Sequence, residues 1–438
     1  MDTSAALLIE DVRLTPVLIA DPPLLNTQGV HQPYTPRLIV EVVTRGGVTG
    51  VGETYGDGVY LDLARSIAEI LPGRSVTDMN GLFLIADEVG GGARVTEDLS
   101  EAGVDAGGLR GVRTAEKLRL SVVSGFEVAC LDALGKTLGL PVHALLGGKV
   151  RDHVDYSAYL FYRWAEHPAG AGGERDDWGA ALDPPGIVAQ ARRLVRDHGF
   201  RSFKLKGGVF PPEQEIAAVE ALAEAFPGLP LRLDPNGAWS VDTSLYVAER
   251  LAGVLEYLED PASGTHRMAE IAAARTGVPL ATNMCVTTFA EIPDAFAHGA
   301  VQVVLSDHHY WGGLHRTREL AAICRTYGIG LSMHSNTHLG VSLAAMNHVA
   351  ATVPRLDYAC DTHYPWQSED VITARHVFEE GRLAVSDAPG LGVELDRERL
   401  AALHRRWLDD DGTLRERDDA AAMRRADPTW VTPAVPRW

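Results

Sequence analysis

The feature of this sequence that most constrains its fold is a regular alternation of short β-rich runs with helical stretches. Eight such runs follow one another: YSAYLFY, RSFKLKGG, LRLDPN, LEYLEDP, VPLATNM, VQVVLSD, IGLSMHS and DYACDTH. Segments rich in Ala, Leu, Glu and Arg separate them, for example PPEQEIAAVEALAEAF. Strands that alternate with helices predict a parallel sheet. Eight units at this spacing predict a (β/α)₈ barrel of about 250 residues, with a doubly wound open sheet as the alternative.

The start of the chain follows a different pattern. LLIEDVRLTPV and RLIVEVVTRGGVTGVGETY predict antiparallel strands, with Gly46-Gly47 at a hairpin turn. Helical patterns follow, of which LSVVSGFEVACLDALGKTLG is the clearest. We therefore predict an α/β protein of three parts. An N-terminal α+β capping domain covers residues 1–148, a modified TIM barrel covers 149–390, and a helical, charged segment over 391–438 packs back on the capping domain.

Charge and cysteine content narrow the functional class. The formal net charge is -19, which disfavours nucleic acid and anionic membranes as partners because both require a basic surface. No apolar run reaches the roughly 18 residues of a membrane-spanning helix, and MDTSAALLIEDVRLTPV lacks the basic region of a signal peptide. The four cysteines are far apart and form no CxxC pair, which indicates buried thiols in a reducing compartment. These features predict a cytoplasmic enzyme.

Polar residues end six successive runs at nearly constant spacing. They are Lys204 with Lys206, then Asp234, Glu259, Asn283, Asp307 and His334. The steps from Lys206 are 28, 25, 24, 24 and 27 residues, which is one strand and one helix each time. In a parallel barrel the active site lies at the carboxyl ends of the strands. We therefore expect these side chains to converge on one mouth.

Three of these residues form a candidate metal site. Asp234, Glu259 and Asn283 supply oxygen ligands from three successive strands, and such ligands suit Mg²⁺. Each residue alone is more commonly a turn residue or a helix N-cap. That explanation is weaker for three residues in phase, so the sequence predicts Mg²⁺ as cofactor.

The lysine pair in FKLKGG predicts a base. Lys204 and Lys206 point to the same side of a strand, because side chains alternate between its faces. Each lysine disfavours protonation of the other, and desolvation acts in the same direction, so one of them is expected to serve as a general base. A dication and a substrate carboxylate at the mouth would offset part of the repulsion. The alternative is a pair of surface lysines whose stems cover apolar surface.

His334 and Asp307 end neighbouring strands and predict a second base, an imidazole oriented by a carboxylate. A lone histidine would more often be structural, so the hypothesis depends on the pair. Together the parts fit one reaction class. A metal binds a carboxylate of the substrate, and bases lie on both sides of the adjacent α-carbon. The metal stabilises the enediolate that forms when a base removes the α-proton.

With these residues in view, the sequence resembles the enolase superfamily and, within it, the glucarate dehydratases. The resemblance runs through most of the chain, in KLKGG, LDPNGAWS, EDP, PLATNM, HSNTH, DTHYPWQ, PGLGVELD and RDDAAAM. LDPNGAWS and ATNM are specific to this branch, whereas KLK and EDP indicate only the superfamily. The resemblance implies an enolase-like barrel and Mg²⁺. It also implies dehydration of D-glucarate, often with its epimer L-idarate, to 5-keto-4-deoxy-D-glucarate.

The resemblance also implies roles for individual residues. Lys206 looks like the base on one face of the substrate, and His334 with Asp307 looks like the base on the other. Lys204 would stabilise the enediolate, and Asn236 would contact the substrate. Six further residues match substrate contacts of the family: His31, Tyr159, Ser335, Asn336, His363 and Arg417. Arg417 suits bidentate pairing with the distal carboxylate.

Two departures from the family pattern concern the substrate. The chain continues after EDP as ASGTHRMAE, where the family typically has a longer Gly-rich insertion, so Asp260 is a possible substitute ligand. GETYGD, residues 52–57, also differs from the corresponding family stretch. Arg232 should point into the barrel but has no partner that the sequence identifies.

These departures leave other functions open. The alternatives are a dehydratase for another aldaric or aldonic acid such as galactarate, a racemase or epimerase, and a non-catalytic protein that binds sugar acids. The expected partner is a sugar diacid, and a homo-oligomer is expected because barrel enzymes of this kind often form one.

Overall fold

The computed structural model describes residues 3–90, 114–169 and 171–438. Its strands are β1 (Ile9–Ala20), β2 (Leu25–Asn26), β3 (Gly29–Val30), β4 (Tyr34–Thr44), β5 (Thr49–Tyr55), β6 (His153–Phe161), β7 (Phe203–Lys206), β8 (Leu231–Asp234), β9 (Leu255–Glu259), β10 (Leu280–Thr282), β11 (Val303–Ser306), β12 (Gly330–Met333), β13 (Cys360–Thr362) and β14 (Arg382–Ala384). Its helices are α1 (Thr3–Ala6), α2 (Gly58–Ile70), α3 (Met79–Gly90), α4 (Ala115–Leu138), α5 (Val142–Leu145), α6 (Pro184–His198), α7 (Pro212–Ala225), α8 (Val241–Arg250), α9 (Thr265–Ala273), α10 (Ile292–Ala297), α11 (His308–Trp311), α12 (Leu314–Tyr327), α13 (Gly340–Thr352), α14 (Arg397–Asp409) and α15 (Asp419–Ala426).

The eight β-rich runs form one nearly closed parallel barrel. Its strand order is β12-β11-β10-β9-β8-β7-β6-β13, and β14 adds an antiparallel pair to β6. Two contacts bridge the remaining gap between β12 and β13. Ser332 Oγ donates to the carbonyl of Ala359 at 2.9 Å, and the backbone N–H of Asp357 donates to the carbonyl of Leu331 at 3.0 Å. The predicted barrel is confirmed, and the open-sheet alternative is wrong.

The parallel register brings the polar strand ends together. Lys204 lies beside Arg232, and Lys206 lies beside Asp234, on the adjacent strands β7 and β8. All eight residues of these two strands are buried. Because side chains alternate, Leu205 and Leu233 face away from these polar groups and belong to the main apolar cluster. The barrel interior is therefore lined with charge at the level where catalysis is expected.

The N-terminal part contains the predicted antiparallel sheet, in the order β1-β4-β5. Gly47 makes the turn between β4 and β5 with a positive φ of 79°, which favours glycine. Helix α4 packs directly on β5, and this close approach requires Gly52. A Cβ at that position would lie 1.9 Å from the carbonyl oxygen of Gly125 in α4.

The C-terminal segment contacts the N-terminal sheet. His404 in α14 bonds through Nδ1 to the carbonyl of Pro16 at 2.7 Å, and Arg406 donates to the carbonyl of Leu18 at 3.0 Å. Farther along, Asp419 at the start of α15 accepts from Asn26 Nδ2 at 2.7 Å. The exact domain boundaries stay a prediction.

All four cysteines are buried and free, as the sequence indicated. Across the described ranges, no helix is both long and apolar enough to cross a membrane.

Candidate active site

A cavity at the carboxyl ends of the barrel strands is built from three parts of the chain. It is lined by Thr35, Tyr55, Tyr159, Phe161, Lys206, His334, Asn336, Thr337, His363 and Arg417. Thr35 and Tyr55 come from β4 and β5 of the N-terminal sheet, and Arg417 comes from the C-terminal segment. The barrel mouth is therefore covered by side chains that lie far from the barrel in sequence.

Lys204 lies beneath the cavity among carboxylates. Its Nζ is 2.5 Å from Glu259 Oε2 and 2.7 Å from Asp361 Oδ2. Burial alone lowers the pKa of Lys204, but Asp361, Glu259 and Asp234 outweigh burial and raise that pKa above its ordinary value of 10.5. The sequence predicted a lowering by the neighbouring lysine. That effect does not dominate, because the nearby carboxylates hold Lys204 as an ammonium.

Lys206 reaches the cavity itself and is held by two oxygen atoms. Its Nζ donates to Asp234 Oδ2 at 2.6 Å and to Asn236 Oδ1 at 2.9 Å. The backbone N–H of Asn236 donates to the other oxygen of Asp234 at 3.0 Å. Asn236 thus orients the amine of the predicted base.

Of the three predicted metal ligands, Glu259 and Asn283 are in direct contact, and Asp234 is linked to Glu259 through Lys204. Asn283 Nδ2 donates to Glu259 Oε1 at 2.9 Å. Asp234 Oδ2 lies 3.5 Å from Nζ of Lys204, which also contacts Glu259. The structure adds Asp361, which the sequence analysis missed. Ligand atoms of Glu259, His334 and Asp361 all lie within 4.8 Å of one another.

Two buried oxygens test whether this group fits a cation. Asp361 Oδ1 accepts no hydrogen bond within the described part of the chain, although a buried carboxylate oxygen normally does, and Glu259 Oε2 is in an ion pair with Lys204 at 2.5 Å. Burial, and next the repulsion from Asp234, raise the pKa of Glu259 well above its ordinary value of 4.5. A dication among these oxygens would relieve both conditions, so the residues fit Mg²⁺.

Asp260, which the sequence suggested as a substitute ligand, supports the turn before Asn283. Its two oxygens accept from Thr282 Oγ1 at 2.5 Å and from the backbone N–H of Asn283 at 2.8 Å. Burial raises the pKa of Asp260 to about 7. Asp260 therefore fixes the turn that presents Asn283, and its role as a substitute ligand stays a prediction.

His334 lines the cavity and is poised as a neutral imidazole. Its Nδ1 lies 3.4 Å from Asp361 Oδ2, and 3.0 Å from Asn283 Nδ2. Burial lowers the pKa of His334 below its ordinary value of 6.5, and the charge of Lys204 adds to this effect. A neutral imidazole at neutral pH suits a general base.

Asp307 is not hydrogen-bonded to His334 in the described structure, so the predicted dyad does not form as a direct contact. Asp307 caps the short helix α11 and accepts from the backbone N–H of His309 at 2.9 Å. The same oxygen lies 2.7 Å from His309 Nδ1. The helix cap folds the carboxylate back toward His309. Asp307 and His334 still affect each other electrostatically, and the dyad stays a prediction.

The residues predicted to bind substrate fall into two groups. Tyr159, Asn336, His363 and Arg417 line the cavity. His31 and Ser335 lie behind it, where they support other groups. His31 Nδ1 lies 3.1 Å from Asp21 Oδ1, and Ser335 Oγ accepts from the backbone N–H of His363 at 3.2 Å.

Arg417 makes its bidentate contact within the protein. Its Nε donates to Asp419 Oδ1 and its Nη2 donates to Asp419 Oδ2, each at 3.1 Å. Its Nη1 donates to Asp21 Oδ2 at 2.9 Å and to Thr35 Oγ1 at 2.6 Å. Asp419 is only two residues away, so this partner is available before any ligand arrives. A role for Arg417 in binding a distal carboxylate stays a prediction.

One question from the sequence receives a structural answer. Arg232 donates to Glu256 at 2.7 Å and to the carbonyl of Ala359 at 2.8 Å, and it lies over the ring of Tyr257.

Asp361 was not predicted from the sequence, although it belongs to the eighth β-rich run. The available signal was a carboxylate within that run, although Asp361 is the middle residue of β13, whereas Asp234 and Glu259 end their strands.

Comparisons with known proteins agree with this geometry. The N-terminal domain family of mandelate racemase and muconate lactonizing enzyme matches residues 10–147, and the family described as enolase C-terminal domain-like matches residues 186–399. The chain is 76% identical to a probable glucarate dehydratase of Streptomyces coelicolor, over 99% of both chains.

Solved structures are similar over the whole chain. An enolase from Thermobispora bispora, complexed with magnesium and formate, shares 53% identity with a TM-score of 0.92 and covers 99% of this chain and 100% of its own. An enolase from Pseudomonas fluorescens, with bound magnesium, potassium and tartrate, shares 46% identity with a TM-score of 0.93 and covers 98% of this chain and 99% of its own.

Proposed function

The chain belongs to the mandelate racemase and muconate lactonizing enzyme branch of the enolase superfamily, as a hydro-lyase similar to glucarate dehydratases, and we propose that it dehydrates D-glucarate with Mg²⁺. L-Idarate is the second proposed substrate, because it differs from D-glucarate in the configuration of one carbon. The product of both would be 5-keto-4-deoxy-D-glucarate.

One observation carries this proposal. Lys206 and His334 line the same cavity, and both are in direct contact with proposed metal ligands, Asp234 and Asn283. A carboxylate held at those ligands would place its α-carbon within reach of two bases. The 76% identity to a probable glucarate dehydratase supports the choice of substrate, and the tartrate bound to a similar structure is itself a hydroxylated diacid.

Asp234, Glu259 and Asn283 would hold the metal, with Asp361 beside them. Bound there, Mg²⁺ would polarise the substrate carboxylate and stabilise negative charge on it.

The chain's own residues would carry out the remaining steps. Lys206, oriented by Asn236, or His334 takes the α-proton, depending on which face of the carbon presents it. The charge that develops on the carboxylate oxygens lies near the ammonium of Lys204, which its carboxylate neighbours keep protonated. The β-hydroxyl then takes a proton from protonated Lys206 or His334 and leaves as water, and the enol that remains tautomerises to the keto product.

The free cysteines suit the predicted cytoplasmic location, because thiols stay reduced there. The location and the homo-oligomer stay predictions.

The decisive experiment is a screen of aldaric and aldonic acids with Mg²⁺, in which the keto product is measured. Formation of 5-keto-4-deoxy-D-glucarate from D-glucarate supports the proposal. Product only from another acid would replace the substrate, and exchange of the α-proton in D₂O without product would indicate an epimerase. Binding of diacids with neither exchange nor product would show that the protein is not a dehydratase.

A further inference from the structure

A buried chain of polar groups leads from the N-terminal sheet to Asp307. Arg37 on β4 places Nη2 3.4 Å from His309 Nε2, and the opposite ring nitrogen of His309 lies 2.7 Å from Asp307 Oδ1. Arg37, His309 and Asp307 are at most 2% exposed. None of these contacts involves a proposed metal ligand.

The chemistry of the partners fixes which nitrogen of His309 carries the proton. A guanidinium has donors only, so Nε2 must accept beside Arg37. The hydroxyl of Ser342, 3.0 Å from Nε2, can donate in the same direction. Nδ1 of His309 therefore carries a proton and donates it to Asp307 Oδ1.

Arg37 is in turn fixed between the sheet and the barrel. Its Nε donates to Glu53 Oε1 on β5 at 2.8 Å. Glu53 also accepts the backbone N–H groups of Leu339 and Ser342, each at 2.9 Å, at the start of α13. The ion pair of Arg37 and Glu53 thus joins β4 and β5 to the start of α13, which follows His334 in the chain.

The second oxygen of Asp307 is also held from the sheet. Tyr55 Oη lies 3.4 Å from Asp307 Oδ2, and Asn336 Nδ2 donates to that oxygen at 3.2 Å. Burial raises the pKa of Asp307, but His309 and the hydrogen bond that it donates outweigh burial and hold the pKa below its ordinary value of 3.8. Asp307 is therefore an ionised carboxylate with a fixed orientation.

We propose that Arg37 and His309 are positioning residues, through which the N-terminal sheet fixes Asp307. Through the hydrogen bond from Asn336, two residues after His334, to Asp307, this support would reach His334, but not Lys206, as a base. This inference rests on the proposed function, since it assigns a support to one of the two bases. It predicts that substitution of His309 slows proton exchange on one face of the substrate only.

A matched pair of substitutions tests the inference. His309→Leu removes the donor to Asp307, whereas His309→Asn keeps an amide N–H close to the position of Nδ1. Deuterium exchange of each epimer is followed by NMR in D₂O. We expect His309→Leu to slow exchange on the His334 face at least tenfold and to leave the Lys206 face within twofold of wild type. His309→Asn should restore most of the lost exchange, and the exposed His298→Leu serves as the control. Equal losses on both faces, or no rescue by His309→Asn, would overturn the inference.

A second measurement needs no substrate. In the ligand-free protein, ¹⁵N shifts of the His309 ring, assigned by their disappearance in His309→Asn, report the tautomer. We expect protonation at Nδ1, and protonation at Nε2 would overturn the inference even if His309→Leu fails to fold. If no aldaric acid reacts with wild type, the proposed function fails, while the tautomer still decides whether His309 donates the Nδ1 proton to Asp307.

Discussion

The ammonium nitrogen of Lys204 lies 2.5 Å from Oε2 of Glu259, a proposed metal ligand. Both side chains are fully buried, so this charge pair is poorly screened. A metal at the site would share Glu259 with a permanent cation. The substrate carboxylate would then lie near two positive charges, the metal and the Lys204 ammonium, and both would stabilise an enediolate.

The first prediction concerns the metal. Glu259→Gln removes a charged ligand but keeps its shape, so we expect Mg²⁺ affinity, measured by calorimetry, to fall at least tenfold. Asp234→Ala should also lose metal binding and not turnover alone. The exposed Glu249→Gln is the control. In wild type, chelation should abolish activity and Mg²⁺ should restore it; full activity in excess chelator would contradict the proposed site.

The second prediction concerns the two bases. Lys206 and His334 end strands on different sides of the cavity, so each should remove a proton of one configuration. Lys206→Ala should abolish exchange with one epimer and spare the other, and His334→Asn should do the reverse. A general base contributes roughly 10²–10⁴-fold, so NMR in D₂O will resolve the loss. Asp307→Asn should act as a milder His334 variant.

If Lys206→Ala and His334→Asn lose exchange equally with both epimers, the assignment to two faces is wrong. One of these residues would then bind the carboxylate or hold the structure.

The third prediction concerns the short loop after Pro261, where the chain reaches α9 within a few residues. If the longer loop of the family helps to select the substrate, this protein should discriminate weakly among six-carbon diacids. The values of kcat/KM for glucarate, idarate and galactarate measure this. A strict preference for glucarate, at about 10⁴ M⁻¹s⁻¹ or more, would show that the longer loop is dispensable.

The fourth prediction concerns the loop that follows Lys206. Buried Glu215 accepts the backbone N–H groups of Gly208, Val209 and Phe210, at 3.0, 2.9 and 3.1 Å. Burial outweighs these bonds and raises the pKa of Glu215 from 4.5 to about 7. The folded chain thus holds a proton that the unfolded chain releases above pH 4.5. The contribution of this group to stability therefore falls as pH rises from 4.5 to 7.

Glu215→Gln should remove that dependence. When the pH is raised from 5 to 7, the unfolding free energy of the variant should fall by about 2 kcal/mol less than that of wild type. Urea unfolding at the two pH values measures it, with the exposed Glu213→Gln of the same helix as control. Identical pH dependence in Glu215→Gln and wild type would show that this carboxyl is not perturbed.

The sequence by itself determined the barrel and the strand-end positions from Lys206 to His334, although it did not identify Asp361. Side-chain alternation in a strand and the length of one strand-helix unit are local properties, so the spacing from Lys206 to His334 was enough to place these residues at one end of the sheet. The hairpin at Gly46-Gly47 was predicted for the same reason, since a tight turn depends on a few neighbouring residues.

Only the tertiary structure decided which charged groups pair. Asp307 turns to His309, His334 approaches Asp361, and Arg417 closes on Asp419. Helix caps, burial and contacts between distant segments set these choices, and the energy of an ion pair depends on distances of a few ångströms that spacing along the chain does not define. The sequence therefore specified which strand ends carry polar groups, and packing of the N-terminal sheet and the C-terminal segment on the barrel specified the partners of those groups.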